Sequence, residues 1–166
     1  MDIGIGLFGL GTVGSGVVKI LQDNADQIAK RTGTHLLVKH AVVNNLEKKR
    51  TGFINNFPIT NDAKDILNNP EIQIVVEVMG TLDQAYKIIK DSLTAKKHVV
   101  TANKDLIASR GQELVAIAEA NGVDLFFEAA VAGGIPILRT LANSFTADEI
   151  SRVAGIIRSE EHTSEL

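Results

Sequence analysis

Three glycines at a fixed spacing are the first feature of this sequence that could support chemistry. Gly9, Gly11 and Gly14 form a G-x-G-x-x-G pattern. An apolar segment, Ile3–Phe8, precedes the pattern, and apolar residues at helical spacing follow it from Val13. In that setting the first glycine permits a tight turn, the second leaves room for a pyrophosphate, and the third lets a helix pack close to a strand.

The loop that contains these glycines predicts a dinucleotide-binding site. The N-terminus of the following helix presents free N–H groups and a partial positive charge, and both favour phosphates. Leu10, Thr12 and Val13 lie on the path that a bound dinucleotide must follow. The alternative is a glycine-rich turn that binds no ligand, and the surrounding strand and helix favour the nucleotide.

The residues that follow the second apolar segment, Leu36–Val43, help to decide which nicotinamide coenzyme would bind. NAD enzymes usually place Asp or Glu there for the ribose hydroxyls, whereas this sequence has Asn44 and Asn45. An amide does not repel a 2′-phosphate, and Lys48, Lys49 and Arg50 follow closely enough to pair with one. The pattern favours NADP, or the use of both coenzymes. An ordinary solvated basic loop is the alternative.

Two further segments end where the nicotinamide half would lie, because ligands of open α/β sheets bind outside the carboxyl ends of the strands. Met79, Gly80 and Thr81 are predicted to line that region, unless they form a simple strand-to-helix turn. Lys104 falls in the first turn of a predicted helix, where its charge opposes the helix dipole and Asp105 offsets it. Such a lysine is a functional candidate, with a solvated surface lysine as the alternative.

Glu128 ends a fifth apolar segment and opens an unusual stretch of small residues. An isolated carboxylate at the end of an apolar strand needs a partner. Gly133 and Gly134 keep the following backbone bare, and Pro136 suits the first turn of a helix. One carboxylate together with bare carbonyl groups could bind a hard cation. A hinge to a following domain explains the same residues, and both interpretations are open at this point.

Predicted strands and helices alternate along the chain, which is typical of an α/β protein with a parallel sheet. The predicted strands are Ile3–Phe8, Leu36–Val43, Ile72–Val78, His98–Thr101 and Asp124–Glu128, with a further candidate at Glu149–Ile157. The predicted helices are one that includes Val13 and Ile28 and is closed by Gly33, then Asp62–Leu67, Leu82–Lys96, Asp105–Asn121 and Ile135–Ser144. We therefore predict a Rossmann-like, doubly wound parallel sheet over residues 1–134. Only the start of a second domain is expected, in residues 135–157.

Composition excludes whole classes of function. The 166 residues carry 17 basic and 20 acidic side chains, a net charge of −3, which gives no electrostatic signature of nucleic-acid binding. Zero cysteines exclude disulfides, cysteine-ligated metals and a thiol nucleophile. No apolar run is long enough to span a membrane, and no secretory signal is visible. We expect a cytoplasmic protein that acts on small molecules.

The last nine residues, 158–166, do not continue the pattern of strands and helices. Their sequence, RSEEHTSEL, resembles the translation of a sequencing-adapter oligonucleotide read in frame. We therefore expect a non-native tail after Ile157 and a chain that is a fragment. Glu160, Glu161 and His162 could suggest a metal site, but a solvated tail explains them better.

Four motifs taken together resemble the N-terminal part of homoserine dehydrogenases. They are GLGTVG, VVEVMG, VTANKDLIA and FEAAVAGGIPI, and the resemblance covers residues 3–157. VTANK followed by FEAAVAGGIP is specific, whereas GLGTVG alone is not. The resemblance implies an NAD(P)-dependent oxidoreductase that interconverts L-homoserine and L-aspartate 4-semialdehyde, on the route to threonine, isoleucine and methionine. It also implies a full-length enzyme that is a homodimer or larger.

The resemblance also assigns roles to individual residues. It implies that Lys104 contacts the nicotinamide and helps to polarise the substrate oxygen. Asn44 stands where the family often has arginine, while the main catalytic lysine and the acidic substrate-binding residues lie beyond Ile157. Residues 9–14 would hold the dinucleotide. A monovalent cation, expected to be Na⁺, would be bound mainly through carbonyl oxygens of Glu128, Val131, Gly133 and Ile135.

The resemblance favours an enzyme of which only the N-terminal part is seen here, inactive alone because the catalytic part is missing. A stand-alone nucleotide-sensing Rossmann domain without catalysis is the alternative. Other semialdehyde dehydrogenases that depend on a thiol are excluded by the absence of cysteine.

Overall fold

The computed structural model describes residues 2–48 and 57–154, and its centre is a sheet of six parallel strands. The strands are β1 (Asp2–Phe8), β2 (His35–Val42), β3 (Ile59–Thr60), β4 (Ile72–Glu77), β5 (His98–Thr101) and β6 (Leu125–Phe126). Their order across the sheet is β3-β2-β1-β4-β5-β6. The order reverses direction between β1 and β4, so the loops that follow these two strands diverge and leave a crevice.

Helices cover both faces of the sheet. They are α1 (Thr12–Asp23), α2 (Ala25–Thr32), α3 (Lys64–Leu67), α4 (Asp83–Thr94), α5 (Lys104–Asn121) and α6 (Ile137–Ser144). One core cluster joins α3, α4 and α5 to Phe8, Val75 and Val99. A second cluster joins α1, through the fully buried Val18, to Leu7 and other strand residues. The predicted doubly wound α/β fold is therefore confirmed.

The first predicted helix is wrong in one respect, because two helices occupy its place. Asn24 lies between them with a non-helical ψ of 18°. Its side chain donates to the Ile20 carbonyl at 3.1 Å and ends α1, while its own carbonyl accepts from the Ile28 amide and begins α2. The predicted end at Gly33 is confirmed, with a left-handed φ of 76°.

The last predicted strands differ most from the structure. The strand predicted at Asp124–Glu128 is only two residues long, because among the described residues β6 is an edge strand that pairs with β5 alone. Glu128 instead begins a 3₁₀ turn, Glu128–Ala130. Residues 149–154 of the predicted strand Glu149–Ile157 form no strand, and residues 155–157 lie outside the described residues. The predicted loop at Asn44–Asn56 is followed by β3, which is too short to leave a periodic pattern.

Two glycines of β1 allow neighbouring segments to pack against the central strand. A Cβ atom on Gly4 would lie 1.8 Å from the Glu71 carbonyl oxygen, and one on Gly6 would lie 2.5 Å from Cγ2 of Ile66. Real Cβ atoms do not approach other atoms so closely. The IGIG run is therefore more than an apolar segment, because its two glycines allow neighbouring segments to pack closely against β1.

Lys97 is buried between α4 and β5, with 6% of its surface exposed. Its ammonium group donates to the carbonyl oxygens of Asn69 at 2.8 Å and Ile72 at 2.7 Å. Burial lowers the pKa of Lys97 from its ordinary value of 10.5, because the charged form loses hydration.

The free energy of unfolding contributed by Lys97 should therefore depend on pH. Between the lowered folded-state pKa and 10.5 the unfolded chain binds more protons than the folded chain, so stability from this group rises with pH. Urea unfolding at increasing pH should show that the free energy of unfolding of the wild type rises relative to that of Lys97→Met as pH 10.5 is approached. A difference that stays constant over this range would contradict the assignment.

Candidate functional site

The glycine-rich turn connects β1 to α1 with the geometry that its sequence predicts. Gly9 has a φ of +98°, and its amide donates to the Val42 carbonyl at 3.0 Å. A Cβ atom on Gly14 would lie 2.1 Å from the Gly9 carbonyl oxygen, so the helix packs directly on the turn. A Cβ atom on Gly11 would have no atom within 4 Å. The space beside Gly11 is open to a ligand.

The N-terminus of α1 faces this open space. Gly11 is the N-cap residue, and no side chain caps the helix. The Ser15 amide makes the first bond of the helix, to the Gly11 carbonyl at 2.9 Å. The amides of Thr12, Val13 and Gly14 precede it and have no partner within the helix. These amide donors and the open space beside Gly11 fit the pyrophosphate of a dinucleotide.

A cavity of about 280 Å³ lies beside the turn on the β2 side, and we call it the adenosine-side cavity. Its polar lining comes from Asn44, Asn45 and Lys48. The Asn45 side chain accepts hydrogen bonds from the amides of Glu47, at 2.8 Å, and Lys48, at 3.1 Å, and so shapes the loop that carries the lysine. Lys49 and Arg50, which the sequence also suggested, lie outside the described residues.

A second cavity, of about 370 Å³, lies on the β5 side of the turn, and we call it the nicotinamide-side cavity. Val13, Gly80 and Lys104 line it. Gly80 and Lys104 are predicted there from the sequence, whereas Met79, predicted beside Gly80, lines the adenosine-side cavity instead. Val78 lines both cavities, so the two adjoin. Leu10 is 5% exposed and packs in the core, so it offers a ligand its backbone. Thr81 is exposed and does not line either cavity.

Lys104 is the first residue of α5, and Asp105 follows it in the first turn, as predicted. Asn103 is the N-cap, and its side chain accepts from the Leu106 amide at 3.1 Å. Sequence reasoning did not single out Asn103. An asparagine just before a helical pattern is, however, a common N-cap signal and could have identified it.

Glu77 is the second residue that sequence reasoning missed. It ends β4 with no exposed surface, and it lines the nicotinamide-side cavity. Its carboxylate accepts from the Met79 amide at 2.8 Å and from the Thr101 hydroxyl at 2.6 Å. A carboxylate inside the apolar run IQIVVEV was the available signal, because a buried charge needs partners.

Glu128 finds its partner in the helix that follows it. Its carboxylate accepts from the amides of Leu138 and Arg139, each at 2.9 Å, and so caps the N-terminus of α6. Glu128 lines a separate cavity of about 550 Å³ between β6 and α6. No bond from a described residue reaches the carbonyl oxygens of Val131 and Gly133, while that of Ile135 accepts from Ile137.

The described part of the chain contains neither a cluster of three acidic or histidine side chains that could hold a metal nor a helix long and apolar enough to cross a membrane.

The class of domain follows from the strand order and from the glycine turn, which lies where that order reverses. The turn, the uncapped helix N-terminus and the two adjoining cavities lie together at the carboxyl ends of parallel strands. This arrangement is that of a Rossmann-type dinucleotide-binding domain.

Comparison with known proteins identifies the family. Residues 9–128 match the family model described as the NAD-binding domain of homoserine dehydrogenase. A homoserine dehydrogenase of Bacillus subtilis is 48% identical over 155 residues, which are 93% of this chain and 36% of that protein. The chain therefore belongs to the homoserine dehydrogenase NAD-binding domain family, and it spans about a third of the length of the curated relatives it matches.

Solved structures show the same fold. A homoserine dehydrogenase from Thiobacillus denitrificans matches with a TM-score of 0.82 and 45% identity, over 89% of this chain and 34% of that one. A hyperthermophilic archaeal homoserine dehydrogenase, solved in complex with NADPH, matches with a TM-score of 0.65 and 24% identity, over 85% of this chain and 48% of that one. At that identity the second likeness concerns the fold.

Proposed function

We propose that this chain is the coenzyme-binding part of a homoserine dehydrogenase, which interconverts L-homoserine and L-aspartate 4-semialdehyde in amino-acid biosynthesis. The observation that carries the proposal is the pair of adjoining cavities on either side of the glycine turn, one of them lined by Lys104. The relatives support this function and give no support to a stand-alone nucleotide-sensing domain.

The position of each residue in the site decides which part of the coenzyme it contacts. The amides at the N-terminus of α1 bind the diphosphate, and the bare backbone of Gly11 lets it approach. Asn44 and Lys48 meet the adenosine ribose, while Val13, Gly80 and Lys104 surround the nicotinamide. When bound, the coenzyme supplies or accepts the hydride. The ammonium group of Lys104 stabilises negative charge on the substrate oxygen, whereas proton transfer falls to residues of the missing catalytic part.

The experiment that tests this function uses the chain as it stands. Calorimetric titration should show binding of NADPH or NADH, and the same preparation should not oxidise homoserine, because the substrate-binding part is absent. If neither coenzyme produces heat, the proposed binding site is wrong. Homoserine oxidation by these residues alone would contradict the assignment of catalysis to the rest of the enzyme.

We propose NADP(H) as the preferred coenzyme, because Asn44 does not repel a 2′-phosphate and Lys48 lines the same cavity.

Asn44→Asp should reverse the preference. A carboxylate accepts hydrogen bonds from the ribose hydroxyls but repels the 2′-phosphate, so we expect the ratio of NADPH to NADH affinity to fall about tenfold or more. Titration of both coenzymes against both proteins measures the ratio. Asn68→Asp, at the exposed end of α3 and in neither cavity, serves as the control for the added charge. An unchanged ratio would remove Asn44 from the specificity site.

We propose further that a monovalent cation, Na⁺, binds the loop from Glu128 to Ile135. The support is the resemblance of this loop to the family pattern and the two carbonyl groups, of Val131 and Gly133, that receive no bond from a described residue. Thermal unfolding in sodium chloride should then occur at a higher temperature than in choline chloride at equal ionic strength. Equal unfolding temperatures would argue against the cation.

The remaining organisation is also a proposal. Residues 1–134 form the coenzyme-binding domain, residues 135–157 begin the substrate and dimerisation domain, and residues 158–166 are a non-native tail. The full-length enzyme would be a cytoplasmic homodimer or larger assembly that acts on a small-molecule substrate. The continuous gene sequence beyond Ile157 tests the domain boundaries, and light scattering of its product tests the assembly.

A further inference from the structure

A hydrogen-bond network with a buried carboxylate at its centre lies on both sides of Gly80, and the proposed function gives that carboxylate no role. We call it the Glu77 network, and its members are Glu77, Met79, Thr81, Thr101 and Asn103. Glu77 and Thr101 have no exposed surface, although both are polar. Burying such groups is costly unless each is paired, so their pairing constrains the segments that carry them.

The network holds the backbone on both sides of Gly80. Before the glycine, the amide of Met79 donates to Oε1 of Glu77 at 2.8 Å. After it, the carbonyl of Thr81 accepts from Nδ2 of Asn103 at 2.9 Å. Gly80 itself has a φ of +73° and open space where a Cβ atom would lie, and it lines the nicotinamide-side cavity.

Thr101 joins the two ends of the network. Its hydroxyl donates to Oε2 of Glu77 at 2.6 Å and accepts from the amide of Asn103 at 3.1 Å. Asn103 in turn caps α5, whose first residue is Lys104. One chain of hydrogen bonds therefore fixes the loop after β4 relative to the start of α5. These are the two segments that face each other across the nicotinamide-side cavity.

We propose that Glu77 is a positioning residue for the nicotinamide half of the coenzyme and acts through Thr101 and Asn103. The inference rests on the proposed coenzyme binding and specifies which half of the molecule the network serves. Without the network the two segments would occupy the binding arrangement for only a fraction of the time. The apparent dissociation constant rises as that fraction falls.

Two probes separate this role from general stability. NADPH occupies both cavities, whereas adenosine 2′,5′-bisphosphate reaches only the adenosine-side cavity; NADH and ADP replace them if the wild type prefers NADH. For Glu77→Gln and Thr101→Val we expect the dissociation constant of NADPH to rise about tenfold. That of the bisphosphate should change less than about twofold. Thr101→Ser keeps the hydroxyl and should restore NADPH binding.

A third variant keeps the proposal testable if Glu77→Gln or Thr101→Val does not fold. Asn103→Ser retains a residue that caps helices well but loses the donor to Thr81, so it should fold and show the same selective loss. Thr94→Val removes a hydroxyl that bonds within α4, away from the site, and should bind both probes normally. Circular dichroism establishes which variants are folded.

The outcomes separate the inference from the proposed function. Folded variants that bind NADPH as tightly as the wild type, or that lose both probes to the same extent, would overturn the positioning role alone. A wild-type chain that binds neither probe would overturn the proposed coenzyme site, and the positioning role with it.

Discussion

Replacing Gly14 with alanine should lower the free energy of unfolding by about 3 kcal/mol, the upper end of the cost of overpacking. The new Cβ atom would lie 2.1 Å from the backbone carbonyl oxygen of Gly9, and the backbone of α1 fixes the position of a Cβ atom. No rotamer change relieves it, so α1 must move away from the turn. Chemical denaturation of the wild type and of Gly14→Ala measures the loss.

Gly16→Ala is the matched control for this prediction. Gly16 lies in the same helix, and a Cβ atom there would have no atom within 4 Å. Alanine favours a helix interior over glycine, so this variant should gain about 0.5–1 kcal/mol. A Gly14→Ala protein as stable as Gly16→Ala would show that α1 does not pack against the turn as described.

Gly11→Ala should produce the opposite result, a loss of coenzyme binding without a loss of stability. The added methyl group would meet no atom of the described residues, and Gly11 has an extended backbone, with a φ of −90° and a ψ of −153°, so no positive φ demands glycine there. It would, however, occupy the space through which the diphosphate approaches the amides of α1. A steric cost of about 1–3 kcal/mol corresponds to a rise of about 5- to 150-fold in the dissociation constant.

Calorimetric titration of NADPH and NADH measures this effect, together with thermal unfolding of the same samples. Gly16→Ala again serves as the control, because its methyl group lies one turn further along α1 and should leave affinity unchanged. If Gly11→Ala binds the coenzyme as tightly as the wild type, the diphosphate does not pass over this residue.

The glycine turn and the class of fold could be predicted because their determinants are local. A positive φ at Gly9 and the close contact at Gly14 concern a turn of six residues, so their sequence spacing records them directly. Alternating apolar strands and amphipathic helices also leave a periodic signal within each segment. The position of Lys104 at the start of α5 followed from the same periodicity.

The wrong predictions came from segments whose structure depends on side-chain hydrogen bonds or on strand pairing, neither of which apolar spacing records. Asn24 divides the first helix in two by bonding the Ile20 carbonyl, although the apolar spacing continues past it. Glu128 was predicted to end a strand. Its carboxylate instead accepts a hydrogen bond from the amide of Leu138, ten residues later. The edge strand β6 is short because, within residues 2–48 and 57–154, only β5 pairs with it.

Local sequence was enough to predict the glycine turn, the alternation that builds a parallel sheet, and the family motifs, since each depends on residues close together in the chain. The pairing of Glu77, in contrast, follows from the way the strands assemble. Its hydroxyl partner, Thr101, is 24 residues away and becomes a neighbour because β4 and β5 pair side by side. A buried polar group must be satisfied by whatever folding brings within hydrogen-bond distance, and sequence spacing does not record that distance.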